Sequence, residues 1–291
     1  MGHRLALGTV QFGLDYGIAN TSGQVDLAAV AELLALARRN GVDTLDTAFA
    51  YGISEQVLGA VGVEDWNVVT KLPALPDACP DVAGWVQTQM QMSLERLGVS
   101  QVYSVLLHRP AQLLGAQGKE LLTALEHLQL SGQTQKIGIS VYGPEELEAL
   151  FALKTFDLVQ APLNILDRRL LVSGWAARLK LAGVELHTRS AFLQGLLLLP
   201  HFQRPEKFSR WNALWSEWQQ WLEATGQTPL EACLRYVFSI SDVDKVVVGV
   251  DSSNQLKQIL AAANDSLPGF PPDWSSPVAT ELLNPALWNT L

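Results

Sequence analysis

Four side chains of complementary acid–base type stand at the ends of three successive apolar runs. Asp46 and Tyr51 lie in Leu45-Asp46-Thr47-Ala48-Phe49-Ala50-Tyr51-Gly52, Lys71 closes Val68-Val69-Thr70-Lys71, and His108 follows Val105-Leu106-Leu107. A carboxylate, a phenol, an ammonium and an imidazole brought together can move a proton to or from a carbonyl oxygen. The phenol is the natural donor, but its free pKa of about 10 is too high for ready exchange at neutral pH. A nearby ammonium favours phenolate and lowers that value. Lys71 is expected to supply this charge, with Asp46 holding it in place. Tyr51 then acts as general acid in reduction and general base in oxidation. His108 is expected to hydrogen-bond the carbonyl and direct it toward a hydride donor. No metal-ligand spacing is present, so an organic cofactor must carry the hydride. Taken singly, Asp46 and Lys71 read as an ordinary buried ion pair and His108 as a satisfied core histidine; their joint arrival at one rim makes the set a site.

That joint arrival requires parallel strands. The candidates are Arg4–Thr9, Thr44–Asp46, Asn67–Thr70, Val102–Leu107, Ile137–Ser140, Leu158–Ala161, Glu185–Thr188 and Lys245–Val248. Several are continuous apolar runs, as in strands buried on both faces of a parallel sheet. Between them, Val30, Leu33, Leu34 and Ala37 fall at helical spacing before Gly41. Val82, Val86, Met90, Leu94 and Leu97 do the same before Gly98, and Pro144 opens a further helix. Others follow Gly118, Arg169, Thr228 and Ser252. Eight strands alternating with helices predict an α/β fold, a closed (β/α)8 TIM barrel forming a single domain over residues 1–291. An open doubly wound sheet is the alternative, but its Gly-x-Gly-x-x-Gly turn is missing. A long loop and helix insert, residues 189–226, follows the seventh strand, and a Pro-rich tail spans 265–291. The strand ends in order read Gly8-Thr9, Asp46, Lys71, His108, Ser140, Gln160, Arg189 and Gly249. Polar residues at one rim of an apolar barrel either pair or face a ligand.

Composition narrows the partners. The chain has 291 residues, 48% hydrophobic and 17% charged, with a net charge of −9 that disfavours nucleic acid and anionic membranes. No apolar run is long enough to span a membrane. Met1-Gly2-His3-Arg4 carries no signal-peptide pattern. Two cysteines, Cys79 and Cys233, lack metal spacing and suit a reducing cytoplasm. The sequon Asn20-Thr21-Ser22 has little meaning there. A small-molecule carbonyl or alcohol is the expected partner, and a barrel of this size is expected to be stable as a monomer or small homo-oligomer. Trp211, Trp215, Trp218 and Trp221 lie at helical spacing, a stripe that packs a late helix onto the barrel, with Trp211 or Trp215 alternatively walling a substrate pocket.

The run Leu45-Asp46-Thr47-Ala48-x-x-Tyr51-Gly52-x-Ser54-Glu55-x-x-Leu58-Gly59 resembles the signature of the aldo-keto reductase superfamily. Lys71, His108, Gly138-Ile139-Ser140, Gln160 with Asn164, and Gln194-Gly195-Leu196-Leu197 extend the resemblance over nearly the whole chain. It implies a TIM barrel binding NAD(P)H across its carboxyl face, with Asp46, Tyr51, Lys71 and His108 as catalytic tetrad. It further implies that Ser140 and Gln160 hold the nicotinamide carboxamide and that Gly8, Thr9 and Val10 border the same site. Asp46, Arg189, Ser190, Ala191, Phe192, Gln194, Gly249, Asp251 and Gln255 complete the expected cofactor surface. Gln11, Tyr16, Arg109 and Trp211 are the expected substrate contacts, Phe12 is a further pocket candidate, and Phe192, Leu193 and the segment Phe202 to Trp211 are the expected lid.

Three positions depart from that pattern. Arg189 stands where an aromatic residue commonly stacks on the nicotinamide; a guanidinium can stack too, or grip an anionic substrate or the pyrophosphate. Val141 follows Ser140 where asparagine is common. The segment Gly249-Val250-Asp251-Ser252-Ser253-Asn254-Gln255 has no basic residue, and Asp251 would repel a ribose 2′-phosphate or accept from a ribose hydroxyl; alternatively Asp251 is a plain helix N-cap. NAD(H) and NADP(H) therefore both stay open, with a tilt toward NAD(H). The reading is an NAD(P)(H)-dependent oxidoreductase reducing an aldehyde or ketone, sugar-like compounds included. The alternative is a nucleotide-binding sensor or partner subunit with vestigial catalysis.

Overall fold

The protein is described by a computed structural model covering residues 4–20, 23–263, 267–274 and 278–291. Residues Met1 to His3 and the sequon's Thr21 and Ser22 lie outside the described residues, as does part of the Pro-rich tail.

Eight parallel strands close into one barrel in sequence order: β1 Leu5–Gly8, β2 Thr44–Asp46, β3 Asn67–Leu72, β4 Val102–Leu107, β5 Thr134–Ser140, β6 Leu158–Pro162, β7 Glu185–Arg189 and β8 Lys245–Gly249. The ring closes where β1 pairs with β8, Gly8 opposite Gly249. The main difference from expectation is at the rim. Lys71, Arg189 and Gly249 belong to their strands, because the ladder to the neighbouring strand continues through them. β5 also begins earlier, at Thr134, paired with Val102. At the other end Arg4 is outside β1; its guanidinium instead donates to the carbonyls of Phe238, Ile240 and Val243.

Helices cover the outside as the sequence pattern requires. Leu27–Arg39 is capped by Asp26, which accepts from the Ala29 N–H, and buries Val30, Leu33, Leu34 and Ala37. Val82–Leu97 is capped by Asp81 and ends at Gly98 with φ 69°, the left-handed C-cap that glycine adopts without a Cβ penalty. The helix expected at Pro144 is shorter than its pattern: a 3-10 turn, Pro144–Glu146, leads into Leu147–Phe151. After β7 the chain makes three 3-10 segments and then the helix Asn212–Thr225, on which Trp215 and Trp218 are fully buried. The stripe joins the main core, with contacts to the neighbouring turn and the tail: Trp215 donates to the Phe208 carbonyl and Trp218 packs edge to face on Trp274.

Strand alternation sorts the barrel interior into layers. Val69, Leu106 and Leu158 form a small apolar layer separate from the main core between strands and helices. Below it, Lys136 donates to Glu185 (2.5 Å) and Tyr103 (2.6 Å), Tyr103 donates to Glu185 (2.7 Å), and His187 meets Glu185 at 3.1 Å. This second polar cluster pulls the Glu185 carboxyl down to about 2, with its partners His187, Lys136 and Tyr103 outweighing burial. The sequence reading missed it, since its members come from three strands with no local signature. Above the apolar layer lies the polar rim.

Candidate active site at the carboxyl rim

Asp46 and Lys71 end inward-facing rows of β2 and β3, and His108 lies one residue beyond β4. Lys71 is fully buried, and its ammonium donates to both Asp46 carboxylate oxygens at 2.8 Å and to the Thr47 carbonyl at 2.8 Å. From across the barrel, Gln160 donates to Asp46 Oδ2 at 2.6 Å, and Ser140 Oγ donates to Gln160 at 3.3 Å. One connected network thus ties β2, β3, β5 and β6 together under the rim.

Tyr51 is delivered by the turn after β2. The hydroxyls of Thr9, Thr47 and Ser54 hold that turn to β1, with Thr9 and Ser54 2.8 Å apart and Thr47 and Ser54 3.1 Å apart. Gly52 sits at φ 58°, and a Cβ there would collide with the Gly13 carbonyl. The glycine therefore lets the turn press against the first loop and aims the phenol inward. The Lys71 ammonium is 5.2 Å from the Tyr51 ring centroid, and the Tyr51 and His108 rings meet edge to face at 6.1 Å. Among the described residues neither the Tyr51 hydroxyl nor the His108 ring has a hydrogen-bond partner. Both residues line the cleft.

The electrostatics correct one expectation. Lys71 does not lower the Tyr51 pKa: burial, followed by the Asp46 charge, pushes the phenol above its ordinary 10.0. The reason is geometric, because the ammonium is spent on Asp46 and Thr47. Burial also pulls Lys71 below its ordinary value, with Asp46 opposing. His108 is lowered to about 4 by burial and then by Lys71 and Arg189. The resting site therefore pairs a protonated phenol with a neutral imidazole at neutral pH. Since His108 loses its proton above about 4, the pH profile of kcat/KM should show no inflection near the ordinary imidazole value of 6.5. An inflection there that disappears in His108→Asn would contradict the assignment.

The tetrad floors a cleft of about 670 Å³, within the range of small-molecule sites. Asp46, Tyr51 and His108 line it, while Lys71 lies beneath. Of the expected cofactor residues, Gly8, Thr9, Val10, Ser140, Gln160, Arg189, Ser190, Ala191, Phe192, Gln194, Gly249, Asp251 and Gln255 also line it, as do Gln11 and Tyr16. The cleft mouth is latched: Gln194 donates to the Tyr16 hydroxyl at 2.9 Å and accepts from the Ile18 N–H at 3.2 Å. Ser190, Leu193 and Gln194 all adopt positive φ, and Asn164 steadies the first by donating to the Ser190 carbonyl at 3.0 Å.

Other expectations are corrected. Arg109 is exposed and does not line the cleft; its charge reaches it only through His108. Trp211 does not line it either; it stands just before the helix, packed on Phe208 beneath Arg210. Phe12 is core, and Phe202 is exposed. The lid is not the segment Phe202 to Trp211; the wall on that side comes from Ser190 to Leu198. Asp251 is not the helix N-cap: Ser252 caps Ser253–Ala262 by accepting from the Gln255 N–H. Val141 is buried, and its carbonyl accepts from Arg189 at 3.0 Å. The sequence reading missed Tyr142, Thr228 to Leu230, and Pro285 with Ala286 from the tail. Only Tyr142 had a usable signal, standing two residues past a strand end.

The cleft suits a long polar cofactor. Gln11 Oε1 and Asp251 Oδ1 are buried, line it, and have no hydrogen-bond partner. Buried acceptors of this kind call for donor hydroxyls from a ligand. Gly8 and Gly249 keep the adjoining strand ends free of side chains. Among the described residues no cluster of His, Cys, Asp or Glu could hold a metal, and no helix is long and apolar enough to cross a membrane.

The structure is similar to a crystal structure from Pseudomonas aeruginosa assigned to the aldo-keto reductases, with 25% identity, 89% of each chain covered and a TM-score of 0.66. The holo form of an aldo-keto reductase from Bacillus halodurans shares the fold at 20% identity, with 96% of this chain and 89% of that chain covered and a TM-score of 0.70. A search of curated protein sequences found no match. The model of the Aldo/keto reductase family matches residues 4–268. With its closed barrel, its rim network and this match, the chain belongs to the aldo/keto reductase family, whose members carry out NAD(P)H-dependent carbonyl reduction.

Proposed function

We propose that the protein reduces an aldehyde or ketone to an alcohol with NADH as preferred cofactor and Tyr51 as proton donor. The observation that carries this reading is the pair of unpartnered groups, the Tyr51 hydroxyl and the His108 ring, over the Lys71–Asp46–Gln160 network. When bound, the reduced nicotinamide supplies the hydride. Ser140 and Gln160 would hold its carboxamide, and Gly8 to Val10 would border it. His108, neutral, fixes the carbonyl oxygen, and Tyr51 delivers a proton to that oxygen as negative charge develops. Lys71 and Asp46 hold the phenol's surroundings rigid and carry no proton to substrate themselves.

The nucleotide preference rests on Asp251. Burial raises its pKa, and Asp15 adds to the rise. Its free oxygen favours a ribose hydroxyl and repels a 2′-phosphate. Titrating NADH and NADPH by tryptophan fluorescence, then adding aromatic aldehydes, tests the reading. NADH should bind more tightly, and Asp251→Arg should shift the ratio toward NADPH by about tenfold. Equal binding that the substitution leaves unchanged would remove Asp251 from the cofactor surface. Binding without turnover of any carbonyl would favour the sensor reading.

A further inference from the structure

Glu185, His187 and Arg189 form one inward-facing row along β7. The lower two are partnered: Glu185 with Lys136 and Tyr103, His187 with Glu185. Arg189 ends the row differently. Its terminal nitrogens donate to the Val141 carbonyl at 3.0 Å and to Ser190 Oγ at 3.2 Å, both neutral acceptors. Its guanidinium lies 5.1 Å from the Tyr142 ring centroid. Among the described residues it has no carboxylate partner, although the protein carries a net charge of −9. The other cation of the rim, Lys71, is matched by Asp46. The Arg189 charge also reaches the reacting end, since it lowers the proton affinity of both Tyr51 and His108. A half-buried guanidinium held open by neutral groups on a cleft wall is built to receive an anion.

We propose that Arg189 docks an anionic group of the substrate, so that the compound reduced is a carbonyl bearing a carboxylate away from the reacting carbon. The inference rests on the carbonyl-reduction reading above. The carboxylate takes the guanidinium, and Tyr142 supplies a flat face beside it. The carbonyl oxygen is left to Tyr51 and His108. One substrate then uses both features, and the acid group sets which carbonyl face meets the hydride. The reaction itself is unchanged: hydride adds to the carbonyl carbon, the Tyr51 proton goes to oxygen, and the nicotinamide is oxidised. The cofactor pyrophosphate is an anion of the same chemistry, so the test must separate the two.

The probes are 4-carboxybenzaldehyde and its neutral counterpart, methyl 4-formylbenzoate, with NADH. The wild type is expected to favour the acid in kcat/KM, and Arg189→Leu to reduce that acid-over-ester ratio by about ten- to a hundredfold. Arg189→Lys, which keeps charge but loses the fork, should retain part of the ratio. A wild-type ratio near one, with the ester reduced, overturns the inference while carbonyl reduction stands. Loss of NADH affinity in Arg189→Leu matching the loss in the ratio also overturns it, assigning the charge to pyrophosphate. Should neither aldehyde be reduced, the carbonyl-reduction reading stays with its own test, and calorimetric binding of 4-carboxybenzaldehyde decides the inference alone. Binding weakened about tenfold in both leucine and glutamine variants supports it, and equal or no binding overturns it.

Discussion

Lys71→Met destabilises the protein by about 3–5 kcal/mol, the usual consequence of leaving one partner of a buried ion pair alone. Lys71 and Asp46 are both buried, and three of the network's hydrogen bonds originate from the Lys71 ammonium. Without it, Asp46 keeps only the Gln160 donor. Asp46→Asn/Lys71→Met, which removes both charges, should recover a substantial part of the loss, because replacing a buried pair by neutral groups is often close to neutral. Urea unfolding of the two single variants and the double variant measures the coupling. Additive losses would mean that the pair does not interact as its 2.8 Å contacts require. The same logic explains why the pair is informative: a buried ion pair is weak evidence for stability, so its place under Tyr51 points to a role in the site.

Tyr51→Phe has the opposite profile. The Tyr51 hydroxyl bonds to no described residue, so its removal costs little stability, about 1 kcal/mol or less. Its ring contacts with His108 and Lys71 are kept by phenylalanine. The loss falls on chemistry, about 10²–10⁴-fold in kcat for a missing general acid. Because burial and Asp46 raise the phenol above 10.0, no alkaline loss of wild-type reduction below pH 10 should come from Tyr51. Unfolding curves that match alongside collapsed turnover separate this variant from Lys71→Met, which loses both.

Much of this site was legible in residue order because a (β/α)8 barrel converts sequence into position. Every strand end falls on one rim, so Asp46, Lys71, His108, Ser140 and Gln160 could be gathered without knowing any distance. Alternation then directs them inward. The tilt of charges was not legible. The expectation that Lys71 would lower the Tyr51 pKa used proximity alone, whereas the outcome depends on where the ammonium's three donors go. Loop geometry was also hidden. Trp211 and Phe202 looked like lid residues by composition, yet positive φ at Ser190, Leu193 and Gln194 turns the chain back over the cleft much earlier. Tail residues Pro285 and Ala286 reach the cleft through tertiary packing that no local pattern announces.

On the proposed reading, the cleft brings a hydride donor to a carbonyl whose oxygen is protonated by Tyr51. The protein is mixed with NADH carrying two deuterons at nicotinamide C4 and with 4-carboxybenzaldehyde, and the alcohol is analysed by NMR. The wild type should leave deuterium on the carbinol carbon. Tyr51→Phe should form the alcohol at least about 100-fold more slowly, with NADH binding retained. Unlabelled product, or labelled alcohol formed equally fast by the variant, would contradict that reading.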